Sequence, residues 1–304
     1  VLDRMILNSL FPDTTYANES GGDPDVIPEL TYEEYLNFHK TYYHPSNSYI
    51  YLYGNMDMEE KLNWLDQEYL SAYDKKEVDS EIHLQKPFEK MHDITKPYSI
   101  ASNESTEDNT YLSYNKVIGT SLDEKLYLAF QILDYALLSA PGAPITKALL
   151  EAGIGKDISG SYDSSTYQPI FSIVAKNANE EQKAEFVKVI EDTLKGIVEN
   201  GMDKKALEAG INYHEFRYRE ADFGGYPKGL MYGLQIFDSW LYDENKPFVH
   251  VEAGETFEII KKNSENGFFE KFIEDNIINN NHEVVLSLVP KHGLAEEKEA
   301  KEAA

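Results

Sequence analysis

Apolar residues recur at strand and helix spacings through most of the region from residue 90 to 293. Alternating apolar positions predict strands near residues 91–101, 111–118, 158–162, 169–176 and 283–289. Helical stripes lie between these strands, and the clearest one contains Phe186, Val187, Ile190, Leu194, Ile197 and Val198. Short links make neighbouring strands antiparallel. The pattern therefore predicts an α+β fold, an antiparallel sheet with helices packed against it.

The first 85 residues give a weaker pattern, which is mostly helical. Thr31 and Glu34 form a capping box for a helix that ends before His44-Pro45. Asp57 opens a second helix, whose apolar stripe consists of Leu62, Leu65 and Tyr69. Between the two helices, the β-rich run from Ser48 to Tyr53 predicts a buried strand.

This strand has no predicted neighbour within the first 85 residues. A buried strand without neighbours leaves its backbone donors and acceptors unpaired, which is costly. The simplest explanation is that the neighbouring strands lie upstream of Val1. We therefore expect residues 1–85 to be the C-terminal part of a truncated first domain. Residues 86–294 are expected to form a complete second domain. Residues 295–304 are expected to form a charged tail, which is either a frayed helix or a severed connector.

Composition narrows the classes of function. The 304 residues include 54 acidic and 28 basic side chains, and this formal charge of −26 excludes the basic footprint of a nucleic-acid-binding protein. The acidity either serves solubility or attracts basic peptides. The best candidate for a membrane span, Leu126 to Ala140, contains Asp134 and is shorter than the roughly 20 residues that cross a bilayer. The chain has no cysteine, which excludes disulfides and thiolate chemistry and favours a soluble, cytoplasmic protein.

The sequence contains no recognisable catalytic motif. There is no His-x-x-Glu-His, no Gly-x-Gly-x-x-Gly and no Gly-x-Ser-x-Gly. Zinc ligands on a helix lie four positions apart, whereas His39 and His44 lie five apart, so we expect both rings to pack at the helix end. His214 falls on an apolar helical stripe and is expected to be packed, and His282-Glu283 is expected at the surface. We assign no catalytic residue and no metal ligand.

Two groups of glycine, proline and polar residues mark turns within the first 50 positions. The first group forms a turn in which glycine permits positive φ, and consists of Ser20, Gly21, Gly22, Asp23 and Pro24. The second group ends the capped helix and directs the chain onward, and consists of His44, Pro45 and Asn47. From the residues alone, we expect both groups to shape the backbone.

In order and spacing, these two groups resemble the insulinase/pitrilysin family of zinc metallopeptidases, in its presequence-protease branch. The resemblance extends to Leu10-Phe-Pro-Asp13, Tyr53-Gly-Asn55 and Lys147-Ala-Leu-Leu-Glu-Ala-Gly-Ile-Gly155. It implies homologous α+β domains that form half-shells around a peptide-enclosing chamber, and it places the eight punctuating residues beside an active site as a structural motif.

The resemblance also implies a zinc ion in the parent protein. In the family, two histidines of His-x-x-Glu-His and a more distant glutamate bind the metal, and the glutamate within the motif activates water. Neither element occurs in this sequence, so no zinc ligand is carried over and no cofactor is expected in this chain. The implied partners are the remainder of the same polypeptide and peptide substrates.

Three interpretations of function follow. We favour a fragment of an active zinc metalloendopeptidase, in which this portion encloses substrate and is not catalytic by itself. The alternative is a non-catalytic homologue that acts as a structural or peptide-binding partner. An acidic interaction module unrelated to proteolysis is less favoured. A His-x-x-Glu-His in sequence upstream of Val1 would decide for the enzyme.

Overall fold

A five-stranded sheet organises the computed structural model, which describes residues 1–302. Its strands are β1 (His92–Ile100), β2 (Thr110–Val117), β3 (Asp157–Asp163), β4 (Ile170–Ala178) and β5 (Glu283–His292). The strand order is β1-β5-β2-β4-β3. As predicted, β2, β3, β4 and β5 pair antiparallel, whereas β1 adds to the edge of β5 in the parallel direction. A parallel pair requires a long connection, and here most of the chain separates β1 from β5.

The α-helices follow in chain order before, between and after the strands. They are α1 (Leu2–Leu10), α2 (Tyr32–Tyr42), α3 (Met58–Glu68), α4 (Glu124–Asp134), α5 (Pro144–Glu151), α6 (Lys183–Asn200), α7 (Lys204–Glu220), α8 (Lys228–Trp240), α9 (Gly254–Asn263), α10 (Phe268–Ile273) and α11 (Leu294–Glu302). Both α4 and α10 continue for five residues as π-helix, over Tyr135–Ser139 and Glu274–Ile278. No helix within the described range is long and apolar enough to cross a bilayer.

The main core lies between one face of the sheet and the helices that follow β2. The amphipathic stripe predicted for α6 is confirmed, because Phe186, Ile190 and Leu194 are buried there. The helix begins after a capping box formed by Asn179 and Gln182. The stripe faces the sheet because apolar positions three and four apart lie on one side of a helix.

The opposite face of the sheet is covered in part by α1. Ile6 and Leu10 of α1 pack against Val284 and Leu286 of β5, while Val285 points into the main core. Strand β5 is therefore buried on both faces. The first ten residues thus belong physically to the sheet, although they precede β1 by about 80 positions.

The prediction of a buried strand at Ser48–Tyr53 is wrong. This segment is extended but pairs with no strand of the described chain, and Ile50, Tyr51 and Tyr53 are exposed. A strand needs a neighbour to form its ladder of hydrogen bonds. The β-rich composition gives the segment its extended shape, but no neighbour supplies the ladder.

The two helices around this segment form as predicted but do not pack as predicted. Thr31 and Glu34 make the reciprocal hydrogen bonds of a capping box at the start of α2, and Asp57 caps α3. Neither helix buries any of its own residues, and Leu62 on the expected stripe is 54% exposed. Local capping chemistry fixes where a helix starts, whereas burial requires a neighbouring surface.

The charged tail is helical as far as the structure describes it. Helix α11 covers Leu294–Glu302 and carries Glu296 and Glu297 in its first turn, where they complement the helix dipole. Residues 303–304 of the predicted tail lie outside the described residues.

Candidate functional site

The turn at Ser20–Pro24 is held by charged side chains. Gly22 has a φ of +86°, in the region that favours glycine. Asp23 accepts hydrogen bonds from the backbone N–H of Asp25 and from Nη2 of Arg4, both at 3.0 Å. The bond from Asp25, together with the nearby Arg4 guanidinium, keeps the pKa of Asp23 below its ordinary value. Arg4 belongs to α1, so the turn is fastened to the helix that covers the sheet.

The group at His44–Asn47 holds the linker that leads to β1. Nδ1 of His44 accepts the backbone N–H of Ser46 at 3.2 Å. The Asn47 amide donates to the carbonyl of Tyr42 at 3.0 Å and accepts from Ser80 Oγ at 2.5 Å. Within residues 1–302, no hydrogen bond or ring contact joins this group to the turn at Ser20–Pro24. Their shared position beside an active site therefore stays a prediction.

The described residues do not fit a zinc site. No three His, Asp or Glu side chains within them converge as metal ligands. His39 stacks on Tyr43 with ring centroids 4.7 Å apart, and His44 meets Tyr73 edge-on at 5.3 Å. Both rings therefore pack at the end of α2, as predicted.

His282 and Glu283 are buried, so the prediction that they lie at the surface is wrong. His282 is 2% exposed, and its Nε2 lies 2.8 Å from the carbonyl oxygen of Leu10 at the end of α1. Glu283 forms an ion pair with Lys116, whose Nζ also donates to the carbonyl of Asn280 at 2.6 Å. The local sequence does not reveal this burial because Leu10 and Lys116 lie far away along the chain.

A cavity of about 320 Å³ lies among α4, α7, α8 and α9. His214, which packs between aromatic rings as predicted, and His250 line it. Burial lowers the pKa of both histidines to about 4, so both rings are neutral at pH 7. Both ring nitrogens of His250 are buried. His250 lies in a turn without periodic pattern, so the sequence gives no signal for it.

The part of the sheet that α1 leaves uncovered forms a second cavity, of about 520 Å³. The strands line it with residues from all five of them, including Tyr98, Tyr111, Ser159, Val174 and Leu288. Val1 and the first two residues of α1 also line the cavity. Strand β3 is the adjacent edge of the sheet, so the outward backbone groups of Asp157–Asp163 have no strand beside them in the described chain. An apolar and hydroxylic floor beside a free strand edge suits an extended peptide.

A large exposed apolar set, the aromatic surface, lies on α2, α3 and the adjacent segments. It comprises Tyr32, Tyr35, Leu36, Phe38, Tyr43, Ile50, Leu62, Trp64, Tyr69 and Tyr73, each more than 36% exposed. Single exposed apolar residues are ordinary, whereas a contiguous set marks an interaction surface. An exposed set of this size is typical of a surface that a partner covers.

Comparison with known proteins identifies related chains. The family model described as the peptidase M16 inactive domain matches residues 29–213. Protein HypA of Clostridium perfringens is 50% identical over 300 residues, which cover 99% of this chain and 31% of that protein. Presequence protease 1, chloroplastic/mitochondrial, of Arabidopsis thaliana is 34% identical over 310 residues, covering 99% of this chain and 28% of that protein. The chain thus spans less than a third of the length of these curated relatives.

A solved structure shares the fold. The peptidase M16 inactive domain from Pseudomonas fluorescens superposes with a TM-score of 0.63 at 15% identity, covering 95% of this chain and 65% of that one. The match extends through the sheet and the helices that pack on it, and supports the α+β assignment.

Proposed function

This chain belongs to the peptidase M16 family, and from that premise we propose that it is the substrate-enclosing scaffold of a zinc-dependent metalloendopeptidase. In this proposal the parent protein degrades peptides inside a closed chamber, and this portion is not catalytic by itself. The uncovered part of the sheet face is the observation that carries the proposal, because it offers an extended peptide an apolar surface beside a strand edge.

The zinc ion of the parent protein would have to be bound by residues outside this chain. Zinc needs three protein ligands in a catalytic site, and the described residues bring no such set together. We infer that the chain helps to enclose the substrate and supplies no ligand to the metal. Metal analysis of the purified chain is expected to show less than one zinc per molecule, and one tightly held zinc would contradict this inference.

We also propose the division into a first part, residues 1–85, a second domain, residues 86–294, and a tail, residues 295–304. The aromatic surface supports it, since α2 and α3 bury none of their own residues while the region around the sheet has a complete core. In this division Ser20–Pro24 and His44–Asn47 are structural motifs beside the active site of the whole protein. A cytoplasmic location is proposed on the absence of cysteine in all 304 residues.

A peptide-binding assay tests the role of the sheet face. Fluorescence anisotropy of a labelled, extended basic peptide is expected to show binding, and an acidic peptide of equal length is expected to bind less, because the chain carries a formal charge of −26. Ser161, an exposed residue of β3 that lines the cavity, is replaced in the variant Ser161→Trp, which should block the floor.

The matched control is Ser102→Trp, an exposed serine in the loop after β1 that does not line this cavity. Loss of binding in Ser161→Trp with retention in Ser102→Trp supports the proposal. Equal binding by both variants would show that the peptide does not use the sheet face. The alternative function, a non-catalytic homologue, predicts the same binding but no zinc-dependent peptidase activity in the longer parent polypeptide.

A further inference from the structure

The cavity among α4, α7, α8 and α9 has walls built largely from aromatic rings. Tyr218 of α7 and Phe257 of α9 lie with their ring centroids 5.5 Å apart. Phe223, in the connection from α7 to α8, meets Tyr232 of α8 edge-on at 5.3 Å. The Tyr218 hydroxyl already donates to the carbonyl of Val251 at 3.1 Å. The walls therefore offer mainly apolar ring surface, which suits an apolar group of a ligand.

One part of the lining is polar and positively charged. Gln131 of α4 and His214 and Arg217 of α7 belong to it. His214 and Arg217 lie three positions apart, on one side of α7. Burial and, less strongly, the nearby Arg217 guanidinium lower the pKa of His214 to about 4, so the ring is neutral at pH 7. Because His250 is neutral as well, Arg217 is the one cationic side chain among the described residues that line the cavity.

The guanidinium of Arg217 has no carboxylate partner within residues 1–302. Of the three arginines in the sequence, Arg4 and Arg219 each pair with a carboxylate at 3.0 Å or less. Arg217 instead donates a long hydrogen bond, of 3.4 Å, to the hydroxyl of Tyr213. In a chain with 54 acidic side chains, an arginine left without one of them is unexpected. Since a guanidinium binds carboxylates with two parallel hydrogen bonds, Arg217 suits an anionic group of a ligand.

A single carboxylate also lines the cavity, just beyond the end of α7. Asp222 Oδ1 accepts the backbone N–H of Gly224 at 3.1 Å. No cation of the described chain pairs with this carboxylate. A free amino acid carries an ammonium group for Asp222 and a carboxylate for Arg217, whereas the C-terminal residue of a peptide carries the carboxylate alone.

We propose that this cavity binds the α-carboxylate of an aromatic or large aliphatic residue, with Arg217 holding the carboxylate and the aromatic walls enclosing the side chain. The volume of about 320 Å³ lies at the lower end of the roughly 300–1,000 Å³ of small-molecule sites, so the cavity suits a single residue. The source of that residue is either a free amino acid or the C-terminus of a peptide. No residue lines both this cavity and the one on the sheet face. The site is therefore additional to the proposed function and does not depend on it.

Calorimetric titration of the wild-type chain with four small compounds tests the class of ligand. Either phenylalanine or N-acetylphenylalanine is expected to bind with a dissociation constant of about 1 mM or lower. Phenylalaninamide lacks the carboxylate and N-acetylglycine lacks the ring, so each should bind at least tenfold more weakly. Tighter binding of phenylalanine identifies a free amino acid as the source, and tighter binding of N-acetylphenylalanine identifies a peptide C-terminus. Weaker binding of both, or equal binding of phenylalaninamide, would overturn the proposal.

Variants of α7 test the residue that binds the carboxylate. Arg217→Gln should weaken binding of the tighter ligand at least tenfold, because the charge-assisted pair is lost. The matched control is Arg219→Gln, which removes an equally exposed arginine of the same helix that does not line the cavity. Asp222→Asn should weaken binding of phenylalanine and leave that of N-acetylphenylalanine unchanged. Equal affinities in Arg217→Gln and Arg219→Gln would overturn the assignment.

The variant Ser161→Trp separates this inference from the proposed function. It alters the cavity on the sheet face, and Ser161 does not line the cavity among the helices. Binding of the small ligands should therefore be unchanged in Ser161→Trp. Loss of their binding in this variant would place them on the sheet face and would overturn this inference while leaving the proposed function standing.

Discussion

At the scale of single residues, the least exposed ion pair in the described chain lies inside the sheet. Lys116 of β2 and Glu283 of β5 are 1% and 6% exposed. Burial is the largest influence on both groups, and it lowers the pKa of Lys116 and raises that of Glu283, while their mutual attraction opposes it. Among residues 1–302, Oε1 of Glu283 finds no hydrogen-bond partner. A buried pair of this kind adds little net stability, because the cost of desolvation offsets the attraction between the charges.

Lys116→Met is therefore expected to be costly, because it leaves Glu283 buried without a partner. Breaking a buried pair costs about 3–5 kcal/mol. Lys116→Met with Glu283→Leu should lose less than Lys116→Met alone, because no unpaired charge remains. Urea unfolding of the two variants measures the difference. A double variant that is less stable than the single one would contradict this account.

A second residue-scale prediction concerns Asp238 of α8. Burial, with a contribution from Asp163, raises the pKa of Asp238 to about 7. The folded chain therefore holds this proton more tightly than the unfolded chain, in which an aspartate titrates near 3.9. The stability that the chain gains from protonated Asp238 is fully present below about pH 4 and is lost as the pH rises through about 7.

A shift of about three pKa units corresponds to at most about 4 kcal/mol. His214 and His250 act in the opposite direction between about pH 4 and 6.5, because their pKa values are lowered. Asp238→Asn isolates the aspartate. The stability of the wild-type chain relative to this variant should fall from pH 4 to 7 in urea unfolding, and a constant difference would contradict the assignment.

At the scale of elements, the sequence predicts what local chemistry decides and misses what distant contacts decide. The capping box at Thr31, the four antiparallel strands and the buried stripe of α6 follow from patterns within a few residues. The burial of His282 depends on Leu10, and the position of Tyr51 depends on its hydrogen bond to Gly229 of α8; both partners lie far away in sequence. Residue spacing alone carries no information about those contacts.

The contrast between α6 and α3 gives an element-scale prediction. Ile190 of α6 is fully buried, so Ile190→Ala should cost about 2–5 kcal/mol through lost burial and a cavity. Leu62 of α3 is 54% exposed, so Leu62→Ala should change stability by no more than about 0.5 kcal/mol. Thermal or urea unfolding of the isolated chain compares them. A cost above 1 kcal/mol for Leu62→Ala would show that α3 has a packed partner within this chain.

At the scale of the whole molecule, the two parts of the chain differ in how fully they bury their apolar side chains. Residues around the sheet form a core that includes Leu112, Phe171, Ile190 and Phe257, all essentially inaccessible to solvent. The aromatic surface exposes ten large apolar side chains between residues 32 and 73. This uneven burial is what the proposed division rests on, with a folded second part and a first part that depends on further polypeptide.

Hydrogen exchange on the monomeric chain tests that central claim most directly. The amides of Leu286–Leu288, in a strand paired on both sides, should exchange only on global or near-global unfolding. The amides of Tyr49–Tyr53 should exchange at least 100-fold faster, because no backbone acceptor within the described residues pairs with them. Equal protection of the two segments in a chain shown to be monomeric would contradict the account.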